Sequence, residues 1–118
     1  MSVNNNILRG EVYWVNMDPT VGAEIKKLRP ALVVSNNISN KHSSLITILP
    51  ITSNTRNQYP FEVIIDKGAG GLKQLSLIKA NQIRTIDKKR INGPSLGSVM
   101  SSQIMNQVNQ AIKVHLAL

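Results

Sequence analysis

Apolar runs only four to seven residues long, each ended by Pro, Gly, Asn or Ser, constrain this chain most. Runs that brief are buried side by side in a sheet, because none is long enough for a helix. Residues 11–17 alternate around Tyr13 and Trp14, and Asp18-Pro19 is a turn signal. A polar loop then spans residues 20–28, and Pro30 opens a continuous apolar run over 31–34. Residues 36–44, dense in Asn and Ser, read as loop. Residues 45–49 make a second buried strand, ended by Pro50. Residues 60–65 alternate again before a glycine-rich turn at 67–71. Residues 75–86 read as one bent strand or two in succession. Helical spacing occurs once, after Ser101, where Ile104, Val108, Ala111 and Ile112 recur with Met105 and Leu116. Ser101 is the expected cap, with Met100 stapled onto Met105. The expectation is a mainly β, α+β fold: a small barrel with a C-terminal helix.

At 118 residues the chain is read as one domain over 1–118, with residues 1–8 loose, able to bury roughly two-thirds of its unfolded surface. The formal net charge of +8 favours polyanionic partners. That charge is concentrated. Lys26, Lys27 and Arg29 form one cluster around Glu24, and Lys79, Arg84, Lys88, Lys89 and Arg90 form another around Asp87. Residues 91–118 carry only Lys113 as a full charge, so the final helix has a different task, and its polar face is one that a second copy could cover. No apolar run reaches the roughly 18 residues a spanning helix needs, and residues 1–8 lack the long apolar stretch expected of a signal peptide. Cysteine is absent, which rules out disulfides and thiolate metal sites. A cytoplasmic protein is expected.

Only His42 and His115 exist, and the six carboxylates form no ligand-like cluster, so neither metal nor cofactor is expected. Arg29 stands where the basic loop meets a buried strand, and Pro30 holds its backbone extended. Its planar fork can grip two phosphate oxygens, whereas the plainer alternative is a surface pair with Glu24. Thr52 and Ser53 emerge after an apolar strand, as hydroxyl donors to phosphate or as turn formers. Gln82 and Arg84 share one face if the alternation holds, with Lys79 and Asn81 on the other; a bulge would bring the two sets together.

These strings, in this order, resemble the MazF/PemK family of toxins from bacterial toxin–antitoxin pairs. The likeness runs from Arg9-Gly10-Glu11-Val12-Tyr13-Trp14 through Gly22, Glu24, Arg29-Pro30, Pro50, Thr52-Ser53, Tyr59-Pro60-Phe61 and Gln82-Ile83-Arg84-Thr85 to the closing helix. It implies a compact SH3-like (CcdB-like) barrel assembled as a homodimer. It also implies metal-independent cleavage of single-stranded RNA to 2′,3′-cyclic phosphate and 5′-hydroxyl ends. The family's partner is an acidic antitoxin segment that covers the RNA groove. Catalytic roles fall on Arg29 and Thr52, with Glu24 the acidic candidate. RNA contacts fall on Gln82 and, with the basic and hydroxyl residues around it, on Lys26, Lys27, Ser53, Lys79 and Arg84. Ile25 and Lys27 stand where the family loop usually has glutamine and glycine, which makes this loop stiffer and more basic. Two readings compete: a gyrase-poisoning toxin without catalysis, whose action would survive Arg29→Ala, and a non-catalytic nucleic-acid-binding barrel, which only an activity assay separates.

Overall fold

The computed structural model describes residues 6–56 and 58–118. Six strands form one antiparallel sheet system: β1 (Val12–Asn16), β2 (Leu28–Val33), β3 (Leu45–Thr52), β4 (Glu62–Ile65), β5 (Ser76–Lys79) and β6 (Arg84–Asp87). The main path runs β1-β2-β3-β5-β4, with β6 paired to β3. Two helices complete it, α1 (Asn37–His42) and α2 (Ser102–Leu116). The fold is mainly β with a C-terminal helix, as the alternation predicts. The barrel, however, is open: among the described residues β1 forms no ladder with the chain beyond β6, only the isolated bridge Val15–Ile91 and the backbone bonds from Asn92 N–H to Trp14 C=O at 2.8 Å and from Leu96 N–H to Val12 C=O at 2.9 Å.

β3 organises the sheet, and its proline shows how. β3 pairs with β2 along one side. Along the other it pairs with β6 at residues 45–48 and with β5 at residues 51–52. Pro50 lies in the gap between those two partners. The bond from Val34 N–H to Thr47 C=O sets the β2–β3 phase, so the nitrogen of Pro50 faces away from β2 and into that gap. The strand therefore continues past the point where sequence places its end, and Thr52 is its last residue.

Both sheet faces are covered, which explains the continuous apolar runs. Val12, Leu32, Leu49, Ile51 and Ile78 pack with Val108 and Ala111 of α2. Their neighbours Tyr13, Val15, Ala31, Val33, Ile46 and Ile48 fill a second cluster on the opposite face. Ile7 joins that second cluster at 2% exposure, so this residue is not loose. The rest of the expected loose N-terminus at residues 1–5 lies outside the described residues.

Helix α2 begins where expected, with the Ser101 side chain accepting from Ile104 N–H at 3.2 Å. Its Val108 and Ala111 are buried, while Leu116 is exposed. Helix α1 is a correction to the loop expected at 36–44. Asn36 caps it by accepting from Ser39 N–H at 2.7 Å, and buried Asn40 donates to Ser35 C=O at 2.9 Å. Local side-chain capping made a helix from residues that elsewhere favour turns. The span 75–86 resolves into β5 and β6, separated by a 3-10 turn at Ala80–Gln82. Among the described residues no helix is long and apolar enough to cross a membrane.

Candidate active site

Arg29 and Thr52 line one cleft of about 520 Å³. Arg29 enters it from the start of β2, opposite Val15 of β1. Its Nε donates to Lys26 C=O at 3.0 Å, which anchors the guanidinium and leaves the terminal nitrogens as the fork's remaining donors. The alternative pairing with Glu24 is not formed, since Glu24 Oε1 instead accepts Val21 N–H at 2.5 Å. Thr52 enters from the end of β3, and its Oγ1 accepts Asn54 N–H at 3.1 Å. That bond orients the hydroxyl and leaves its proton to donate. Ser53 lines the same cleft.

Sequence reasoning missed several residues here. Trp14, 42% exposed, and Leu28 supply an apolar wall. Lys73 adds a cation from a segment in neither basic cluster. Only the turn geometry brings it there: Gly71 holds φ +86°, and a Cβ at that position would lie 2.2 Å from Leu96 C=O.

Two further clefts adjoin the first. One of about 250 Å³ shares Thr52 with it and adds Asn54, Tyr59, Glu62, Lys79 and Gln82. The other, about 460 Å³, shares Ala23, Ile25 and Gln82 with that middle cleft and adds Glu24, Asn81 and Arg84. Together they form a track from Trp14 past Thr52 to Arg84. Gln82 pins the loop over this track, accepting Ile25 N–H at 2.7 Å. Arg84 donates to Met17 C=O at 2.7 Å from the far end.

Several expectations change. Glu24 lies on the outer cleft with Arg84, not on the cleft of Arg29 and Thr52, because its carboxylate closes the turn at Val21. Lys79 is not a free surface cation: its Nζ lies 2.7 Å from Glu62 Oε2, and the Glu62 side chain is 1% exposed. Lys26 and Lys27 are exposed on the loop but line none of these three clefts. The basic run at 88–90 is mostly committed, since buried Lys88 donates to Asn40 C=O and Arg90 to Asn16 C=O. Among the described residues no three His, Asp or Glu side chains gather as metal ligands.

Lys27 has φ 68°, a conformation that suits glycine. A left-handed non-glycine residue costs roughly 1–2 kcal/mol, partly offset by the greater unfolded-state freedom of glycine. Lys27→Gly is expected to stabilise the fold by about 0.5–1 kcal/mol. A rise of a few degrees in thermal melting checks this.

Comparison with known proteins identifies the family. The family model described as PemK-like, MazF-like toxin of type II toxin–antitoxin system matches residues 8–116. The chain is 37% identical to "Endoribonuclease MazF9" of Mycobacterium tuberculosis, over 93% of this chain and 96% of that protein. It is 34% identical to "Endoribonuclease EndoA" of Bacillus subtilis, over 95% and 96% respectively. A solved structure titled as an endoribonuclease in complex with its cognate antitoxin, from a Mycobacterial species, superposes with a TM-score of 0.76 at 28% identity, covering 95% of this chain and 96% of that one. An open antiparallel sheet carrying Arg29 and Thr52 on one cleft, matched along nearly its whole length, belongs to the PemK-like, MazF-like toxin family of type II toxin–antitoxin systems.

Proposed function

We propose that this chain, acting as a single domain in the cytoplasm, is a toxin that cleaves single-stranded RNA at short sequences without a metal. The lining of one cleft by both Arg29 and Thr52 carries this reading. The ribose 2′-oxygen attacks the adjacent phosphorus and the bond from phosphorus to the 5′-oxygen breaks. The products are a 2′,3′-cyclic phosphate and a 5′-hydroxyl. The 2′-hydroxyl proton leaves to water, and the departing 5′-oxygen takes one from water on the open side of the cleft.

Negative charge grows on the two non-bridging oxygens as the fifth bond forms. The Arg29 fork and the Thr52 hydroxyl donate to those oxygens, and donors already fixed in place stabilise the transition state without reorganising. Arg29 Nε is fixed by Lys26 C=O, and Thr52 Oγ1 by Asn54 N–H. The guanidinium offers five donors and no acceptor, so it acts as an electrostatic clamp and not as a base. Lys73 and Ser53 add donors on the same cleft. Arg84 and Gln82 extend the track, Lys26 and Lys27 add exposed charge on the loop outside it, and Trp14 offers a ring for base stacking.

The relatives' solved complex supports an antitoxin partner, and a +8 chain suits an acidic, flexible segment laid along the same track. Val114, Leu116 and Leu118 are exposed at the end of α2 beside a nearly uncharged face, which supports pairing of two copies.

Digestion of a long RNA in EDTA, with sequencing of the cut ends, tests the reading. Cuts at a short recurring motif with cyclic phosphate ends are expected, and intact RNA contradicts it. Binding of an uncleavable single strand is expected to weaken about 10- to 100-fold between 50 and 200 mM salt, for a track holding three to five phosphates. Fluorescence anisotropy across that range checks this.

A further inference from the structure

The chain contains one Asn-Gly pair, Asn92-Gly93, and the fold sets its asparagine on the cleft of Arg29 and Thr52. In such a pair the asparagine side chain can close on the next backbone nitrogen, because glycine has no Cβ to shield that nitrogen or limit its approach. Here the local structure leaves the reaction open. Asn92, Gly93 and Pro94 are all exposed. Gly93 has φ +90°, and a Cβ built on it would meet nothing within 4 Å, so the turn has room to change shape. Among the described residues neither the Asn92 carboxamide nor the Gly93 N–H has a hydrogen-bond partner. The flanks are nonetheless tied to β1, with Asn92 N–H donating to Trp14 C=O at 2.8 Å and Leu96 N–H to Val12 C=O at 2.9 Å. A group created at residue 92 therefore stays on the cleft wall.

We propose that Asn92-Gly93 is a self-modifying site, whose conversion to aspartate or isoaspartate weakens the hold of this cleft on RNA. The effect on RNA rests on the endoribonuclease reading, and the conversion itself does not. The Gly93 nitrogen gives its proton to hydroxide and attacks Asn92 Cγ. The bond from that nitrogen to Cγ forms, the Cγ–Nδ2 bond breaks, and Nδ2 takes a proton from water and leaves as ammonia. Water then opens the succinimide at either carbonyl. Both products carry a carboxylate where a neutral amide stood, and isoaspartate also inserts an extra carbon into the main chain between the ties to β1. Arg29 and Lys73 line the same cleft, and their positive charge favours the anionic nitrogen that attacks. The new carboxylate then repels the phosphates that those cations attract.

The test holds purified wild type at neutral and mildly alkaline pH, then follows each asparagine-containing peptide by mass spectrometry. Residue 92 is expected to convert faster than every other asparagine of the chain, at a rate that rises with hydroxide. Asn92→Gln is expected to stay intact, because glutamine would have to close a larger and slower ring. Fresh Asn92→Asp protein supplies the charge alone. It is expected to bind an uncleavable single strand about 2- to 5-fold more weakly than wild type at low salt, the size of one exposed charge contact. The two affinities are expected to converge as salt rises. Aged wild type is expected to lose binding in step with its conversion, whereas aged Asn92→Gln keeps its starting affinity. An Asn92 that outlasts the other asparagines of the folded protein overturns the site. Equal low-salt binding by Asn92→Asp and by aged wild type overturns its effect on RNA. Failure of fresh wild type to cut RNA overturns the endoribonuclease reading instead, and the mass spectra still decide whether residue 92 modifies itself.

Discussion

Arg29→Ala is expected to slow cleavage of single-stranded RNA by about 100- to 1,000-fold, and Thr52→Val by a similar factor. Each change removes one fixed donor to the phosphoryl oxygens. Valine keeps the branched shape at the end of β3 and deletes only the hydroxyl. Arg29 is a partly exposed residue whose side chain donates to the loop at Lys26 and belongs to neither apolar cluster, so its truncation leaves both clusters intact. Single-turnover rates in EDTA, with melting curves to show that the variants fold, check this pair. A gyrase-directed toxin or a passive RNA binder on the same fold would show no such loss of cleavage.

Gly71→Ala is the largest stability change expected from a single methyl group. The backbone there has φ +86°, and the added Cβ would meet Leu96 C=O at 2.2 Å, Leu96 carbonyl carbon at 2.4 Å and Gly97 N at 2.8 Å. Every one of those atoms is backbone, so no side chain can swing aside. Left-handed strain of roughly 1–2 kcal/mol adds to roughly 1–3 kcal/mol for forcing two packed segments apart. The combined loss is about 2–5 kcal/mol, on the order of 10 °C or more in melting temperature for a chain of this size. The same segment carries Lys73 and part of the wall facing Arg29, so a folded fraction of Gly71→Ala should also cut more slowly.

The strands were legible because their period is local. Alternation at Tyr13 and Trp14 and unbroken apolar runs at 31–34 and 45–49 directly reflect one or two covered faces. Ser101 and the spacing of Val108 and Ala111 announced α2 in the same way. Pro50 misled because a strand with different partners on its second side has a gap that sequence does not reveal. Helix α1 was hidden because Asn36 and Asn40 build it through side-chain bonds, and those residues are equally at home in turns.

The site was partly legible. Arg29 and Thr52 could be singled out by their neighbours, but that both line one cleft depends on β2 and β3 pairing in this register. Charge was the weaker guide. Lys79, Lys88, Arg84 and Arg90 all count as basic in sequence, yet each is committed to a carboxylate or a carbonyl inside the molecule. Lys73, which no basic run includes, reaches the cleft beside Arg29.

A double-substitution cycle on Arg29 and Thr52 tests most directly whether the two grip one phosphate. Cleavage rates of wild type, Arg29→Ala, Thr52→Val and the combined variant give the coupling between them. Two donors sharing a single phosphate are expected to be coupled by about 0.5–3 kcal/mol, so that the combined variant is faster than the product of the two separate losses predicts. Losses that multiply independently, or a wild-type rate in either single variant, would contradict the shared site.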